Sequence, residues 1–175
     1  DARSWPVETH YLDRPADDRP APLLVAQAVV RALEAHAEGG ILAFLPGEGE
    51  IRRAAALLQD WRLPGNVDLH PLFGALPRQA QDAAVEPALP GRRKVVLATS
   101  IAESSLTIRD IRIVIDGGWM RVPRFSVRNG MSRLATLRVT RDRADQRRGR
   151  AGRVAPGVCY CLWDTVTDRQ LAPQA

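Results

Sequence analysis

Apolar and polar positions alternate in two rhythms along the chain. Trp5–Leu12 (WPVETHYL) switches between apolar and polar at every other residue, which predicts a strand with one covered face. Arg14–Pro22 is rich in Pro and Asp and predicts a loop. Leu23–Ala37 repeats at helical spacing until Gly39-Gly40 stops it. Ile41–Leu45 (ILAFL) is continuously apolar, as expected of a strand buried on both faces. Pro46-Gly47 turns the chain into a second helix, Glu48–Asp60. A short strand follows at Val67–Leu72, then a helix, Pro77–Val85, with Pro in its first turn. Lys94–Thr99 (KVVLAT) and Ile111–Ile115 (IRIVI) are further buried strands, the second ending at Asp116. Strands alternating with helices predict an α/β domain with a mainly parallel sheet covered on both sides.

The rhythm then changes. Trp119–Phe125 and Ser132–Thr140 both read as strands, and Asn129-Gly130 between them predicts a tight hairpin turn, so residues 117–140 form a β-hairpin. Arg141–Arg148 reads as a helix with Gly149–Gly152 at its end, and Val158–Leu162 as a last strand. The polar tail, 164–175, is expected to fray. With 175 residues, 45% of them hydrophobic, one well-packed domain over 1–175 is expected, with 1–22 as its leading strand and loop. No apolar run is long enough to span a membrane, and no secretory leader is expected. Cys159 and Cys161 share a strand face and lack a second ligand pair. They therefore indicate neither a metal site nor a disulfide framework, and they fit a reducing, cytoplasmic setting. The start at Asp1 without Met suggests an excised fragment.

Charge sharpens the picture. Residues 1–90 hold 8 basic and 13 acidic side chains, while 91–175 hold 17 basic and 7 acidic. The basic half points to a polyanionic partner, a nucleic acid or a nucleotide, although a solvated basic face has the same composition. Four arginines and a glutamine crowd into Gln146–Arg153, QRRGRAGR. Arg150 and Arg153 are three apart, which puts them on one side of a helix or its last turn. Two converging guanidinium groups repel unless an anion sits between them. Gly149 and Gly152 leave room for a ligand or another backbone to approach. Such a cluster can clamp phosphoryl oxygens and stabilise charge in a transition state. A solvated Arg-rich helix is the plain alternative, but it gains nothing from paired glycines.

QRRGRAGR resembles motif VI of superfamily 2 helicases in its DEAH-box form. Ala98–Ile108 (ATSIAESSLTI) resembles motif V, Leu42–Ile51 (LAFLPGEGEI) motif IV with its following helix, and Leu72–Gln79 the segment between them. The order and spacing agree, and the run DQRRGRAGRVAPGVCYCLW is most similar to the bacterial HrpB-type group. The resemblance covers nearly the whole chain. It implies the second RecA-like domain of a helicase motor: three layers with a mainly parallel sheet flanked by helices, plus a projecting β-hairpin. It also implies that ATP with Mg²⁺ is bound mainly by a first RecA-like domain, that further domains follow, and that the partner is a single nucleic-acid strand, RNA foremost.

By the same resemblance, Arg150 and Arg153 match arginine fingers on the γ-phosphate, and Gln146 the residue that orients the attacking water or that phosphate. Ser105 and Thr107 match positions near the nucleotide. Thr99, Ser100 and the loop at Gly47 match contacts to the nucleic-acid backbone, which position a strand without reading its sequence. Two positions depart from the pattern. Val85 stands where related proteins often stack an aromatic on the base, and Arg109 where they carry an acid near the ribose. Little discrimination among nucleoside triphosphates is therefore expected. Glu103, inside motif V, is either a link between the ATP site and the strand-binding loop or an acid satisfying free N–H groups at a helix start. The hairpin carries Arg121, Arg124, Arg128, Arg133 and Arg138 beside apolar Trp119, Phe125 and Met131, which suits contact with a strand; a solvated ribbon is the alternative. His10, His36 and His70 lack metal or general-base spacing, and Trp5, Trp61 and Trp163 read as core or edge packing.

No GxxxxGK[ST] phosphate loop and no Asp-Glu-Ala-His motif occur, so the chain alone is expected to hydrolyse no ATP. A passive basic nucleic-acid-binding module is the competing reading. A Rossmann-type enzyme is disfavoured by the lack of GxGxxG after a first strand.

Overall fold

A computed structural model describes residues 4–16 and 18–175. Strands β1 (Val7–Leu12), β2 (Gly40–Phe44), β3 (Val67–Leu72), β4 (Arg93–Ala98), β5 (Ile111–Asp116) and β8 (Gly157–Asp164) form one all-parallel sheet in the order β1-β8-β5-β2-β4-β3. The sheet strands come from the predicted runs, with ends shifted by one to two residues. Alternate side chains of each buried strand serve opposite cores. Ile41, Ala43, Val95 and Leu97 pack beneath α1 (Ala21–Ala35) and α2 (Glu48–Asp60). Leu42, Phe44, Val96 and Ala98 pack beneath α3 (Arg78–Val85), α4 (Ile101–Ser104) and α5 (Arg141–Gly149). Both faces of the sheet are covered, as the continuous apolar runs require.

Three expectations are corrected. Helix α1 begins at Ala21, inside the stretch read as loop, because Pro22 sits in its first turn, where a missing N–H costs nothing. The hairpin strands β6 (Trp119–Phe125) and β7 (Ser132–Arg138) are not joined by a two-residue turn. The last pair is Phe125 with Ser132, and the loop closes through Ser126 N–H to Met131 O (2.8 Å) and Gly130 N–H to Ser126 O (2.9 Å). Only Gly130 of the Asn-Gly pair takes positive φ, whereas a two-residue type I′ turn needs it at both.

The tail does not fray. Asp164 caps α6 (Thr165–Arg169) by accepting from Thr167 N–H, Trp163 Nε1 donates to Asp168, and Leu171 packs on the core. The carbonyls of Ala172 and Pro173 accept from Arg141 N–H and Asp142 N–H. Those are otherwise unpaired donors at the start of α5, so the tail caps the helix that carries the arginine cluster.

Cys159 and Cys161 are core residues, with the hydrogen-bonded Cys161 thiol and then burial pushing the Cys159 pKa well up. Trp163 is buried, whereas Trp5 and Trp61 lie half-exposed at the surface. His10 and His36 flank the ring of Tyr160, and burial pushes the His70 pKa down.

Candidate nucleotide-facing site

The parallel register gathers the motif loops at one edge of the sheet. Phe44 lies opposite both Ala98 and Asp116, so the turns leaving β2, β4 and β5 emerge side by side. They carry Gly47, Thr99 with Ser100, and the hairpin root. Thr99 and Ser100 are half-buried there. Gly47 is buried, because Arg121 of β6 closes over it: a Cβ at Gly47 would lie 2.1 Å from Arg121 Nη1. Arg121 in turn forks onto Glu50 of α2 (3.2 and 3.0 Å), and this pairing holds the Glu50 carboxyl below its usual range.

The cluster QRRGRAGR divides in the folded chain. Helix α5 runs to Gly149 and tightens into a 3₁₀ turn over Arg150–Gly152. Three-residue periodicity eclipses positions i and i+3, which brings Arg153 beside Arg150. Burial first, and the charge of Arg153 second, lower the Arg150 pKa. Gln146 is one helical turn before Arg150, exposed, with open space around Gly149 between them. Gly152 is small for another reason: a Cβ there would meet Trp5 O at 2.5 Å, where the chain entering β1 packs on the turn. One of the two glycines thus serves backbone packing rather than a ligand.

Arg150 is only 4% exposed, and its Nε donates to Glu103 O at 2.7 Å. Both terminal groups, Nη1 and Nη2, are shut from solvent and find no acceptor among the described residues. Leaving a buried donor unpaired costs about 1–3 kcal/mol, more for a charged group. An anion with oxygens in fork geometry, such as a phosphate, would satisfy both groups. Arg153 is exposed and makes no ion pair among the described residues, so its charge is available to the same anion.

Arg147 is the buried charged position that sequence reasoning missed. It is 0% exposed. Its Nε donates to Glu103 Oε2 (2.8 Å), Nη1 to Asp116 Oδ1 (2.8 Å) and Nη2 to Trp119 O (3.1 Å), and its plane lies over the Phe44 ring (4.9 Å). Burial opposes its charge, and Asp116 and Glu103 outweigh it, raising the pKa. The Glu103 carboxylate is therefore committed to Arg147 and to a longer pairing with Arg143 (3.6 Å), not to helix N–H groups. Helical periodicity carried the only available signal: Arg147 is three residues after Ala144, which faces the core.

Ser105, Thr107 and Arg109 are exposed, and their side chains make no hydrogen bond among the described residues. Arg109 N–H donates to Val85 O (3.0 Å), which brings the two departing positions together. Beside them, buried Lys94 donates to the carbonyls of Ala84, Val85 and Glu86 (3.1, 3.2 and 2.8 Å) and closes the end of α3. Burial pushes its pKa down to about 8.

In the hairpin, Arg124 and Arg133 face each other across the strands, and Arg128 is in the loop. All three are exposed and unpaired among the described residues, beside exposed Phe125, Val127, Met131 and Leu134. Like charges directly opposite are unfavourable in a free ribbon. Among the described residues, no group of His, Cys, Asp and Glu is arranged to hold a metal ion, and no helix is long and apolar enough to cross a membrane.

Residues 25–155 match the model of the helicase conserved C-terminal domain. The chain belongs to that family. It is 48% identical over 162 residues to the ATP-dependent RNA helicase HrpB of Escherichia coli (strain K12), covering 93% of this chain and 20% of that protein. It is 40% identical over 170 residues to the pre-mRNA-splicing factor ATP-dependent RNA helicase prp22 of Schizosaccharomyces pombe, covering 92% and 14%. A crystal structure of the E. coli DExH-box NTPase HrpB superposes with a TM-score of 0.90 at 45% identity, over 99% of this chain and 21% of that one. The fold is thus the RecA-like helicase C-terminal domain, and the chain spans about a fifth or less of these relatives' length. The helicase C-terminal match takes in motifs IV, V and VI and the hairpin.

Proposed function

We propose that this chain is the second motor domain of an ATP-dependent RNA helicase, and that Arg150 and Arg153 act as arginine fingers on an ATP bound mainly by another domain. The buried, unpaired fork of Arg150 carries the reading, because a solvated basic face has no such group. The fork and Arg153 meet the γ-phosphate oxygens and stabilise the charge that spreads over them as the bond to the leaving group breaks. Gln146, exposed on the same side, orients the attacking water. Ser105, Thr107 and Arg109 line the nucleotide's flank. Mg²⁺ neutralises the phosphates when bound, held by the domain that cradles them. Thr99, Ser100 and the Gly47 loop hold the strand's phosphates, with Arg124 and Arg128 on the hairpin.

Because the arginines act across a cleft, the isolated domain hydrolyses no ATP. Closing on the triphosphate and opening after hydrolysis moves a strand gripped by both domains. The test is Arg150→Ala or Arg153→Ala in the full-length protein. ATP hydrolysis is expected to fall by about 10³-fold or more, with strand affinity unchanged. Strand binding that fell while hydrolysis persisted would favour a passive nucleic-acid-binding module instead.

A further inference from the structure

We infer that Arg147 is a positioning residue for hydrolysis: it clamps the Glu103 carboxylate, so that the Glu103 carbonyl engages Nε of Arg150 and leaves both Nη groups for phosphate. The inference rests on the finger role proposed for Arg150.

Two contacts carry it. Glu103 links the two arginines, its carboxylate accepting from Arg147 (2.8 Å) and its carbonyl from Arg150 (2.7 Å). It sits at the end of α4, a helix of only four residues, which is too short to hold its own geometry. An outside restraint is needed to keep that carbonyl in place, and Arg147 supplies it from the helix that leads directly into the turn of Arg150. The loop from α5 through Arg147, Glu103 and Arg150 back to α5 is closed. With Nε occupied by the Glu103 carbonyl, both Nη groups of Arg150 stay buried without an acceptor among the described residues.

The same guanidinium reaches further. Asp116 Oδ1 accepts from Arg147 and also from Gly118 N–H (2.9 Å), and Arg147 bonds the carbonyl of Trp119, the first residue of β6. One side chain therefore joins the finger turn to the root of the hairpin. Stability alone does not call for it. A buried guanidinium between two carboxylates is about as stable as well-packed apolar groups, or less so, whereas fixed geometry is what such a network supplies.

The experiment uses full-length protein carrying Arg147→Lys, Glu103→Ala or Glu103→Gln, with Arg150→Ala alongside. Steady-state ATPase with and without RNA, RNA affinity and thermal midpoint are measured for each. Arg147→Lys and Glu103→Ala are expected to lower kcat by about 10- to 100-fold, the scale of a misplaced catalytic group. Nucleotide KM and RNA affinity should stay within about twofold. Glu103→Gln keeps an acceptor for Arg147 and should recover most of the loss. If Arg147→Lys does not fold, the two Glu103 variants decide. Unchanged kcat in the folded variants, or kcat and RNA affinity falling together with a raised KM, would overturn the inference. If Arg150→Ala itself keeps full ATPase, the finger reading fails first, and the two failures are thereby distinguished.

Discussion

Replacing Arg150 by Met should make the isolated domain more stable while destroying the activity of the full-length protein. Arg150 is 4% exposed, with two guanidinium nitrogens unpaired among the described residues. At about 1–3 kcal/mol for each unpaired buried donor, the fork costs roughly 2–6 kcal/mol. Met keeps the apolar stem and removes both donors. It also removes the bond from Nε to Glu103 O, a loss of about 1–2 kcal/mol. The net expectation is a gain of about 0–5 kcal/mol, and each kcal/mol raises the midpoint of a domain this size by about 2–4 °C. Urea and thermal denaturation of this chain and its Arg150→Met variant measure the difference. Adding inorganic phosphate or pyrophosphate should raise the wild-type midpoint, since only a folded fork binds the anion, and should leave the variant unmoved. A variant less stable by 1 kcal/mol or more, with phosphate stabilising both proteins alike, would refute the reasoning by showing that the fork is satisfied within the domain.

Other outcomes follow from the same geometry. The Lys94 pKa is about 8 in the folded chain against 10.5 for a free lysine, so its contribution is fully present above 10.5 and is lost as pH falls through 8. Between pH 7.5 and 9.5, wild type should gain about 2 kcal/mol relative to Lys94→Met in urea unfolding, a comparison that cancels the other titrating groups. Gly152→Ala drives a Cβ to 2.5 Å from a backbone oxygen and should cost about 1–3 kcal/mol by the same measurement. Arg124→Ala removes one of two facing like charges, so domain stability should hold or rise slightly. RNA affinity of the full-length protein should meanwhile weaken for all sequences, with its dependence on log salt reduced by about 1. Val85 offers no aromatic face to a base, so ATP and GTP should bind the full-length protein with comparable affinity; a strong ATP preference in competition binding would contradict this.

Local physics made much of this protein legible in one dimension. Ile41–Leu45 and Ile111–Ile115 read as strands covered on both faces because a continuous apolar run has no solvent side to show. The arginine pair at 150 and 153 was readable because three-residue spacing sets which side chains are neighbours in any tight helical turn. Spacing does not say which side of a helix meets the sheet. Only packing decided that Arg147 is satisfied between Glu103 and Asp116, and that the buried fork of Arg150 in the same short segment is left without an acceptor among the described residues. The tail looked free because its residues are polar, yet its carbonyls answer the unpaired N–H groups of α5, far away in sequence. Nothing near Gly47 in the sequence showed that the hairpin would lay Arg121 across it. Periodicity and composition are nearest-neighbour properties, and the sequence carries them on its surface. The partner of a buried charge is chosen by which distant segments the fold brings together, and that is settled only in three dimensions.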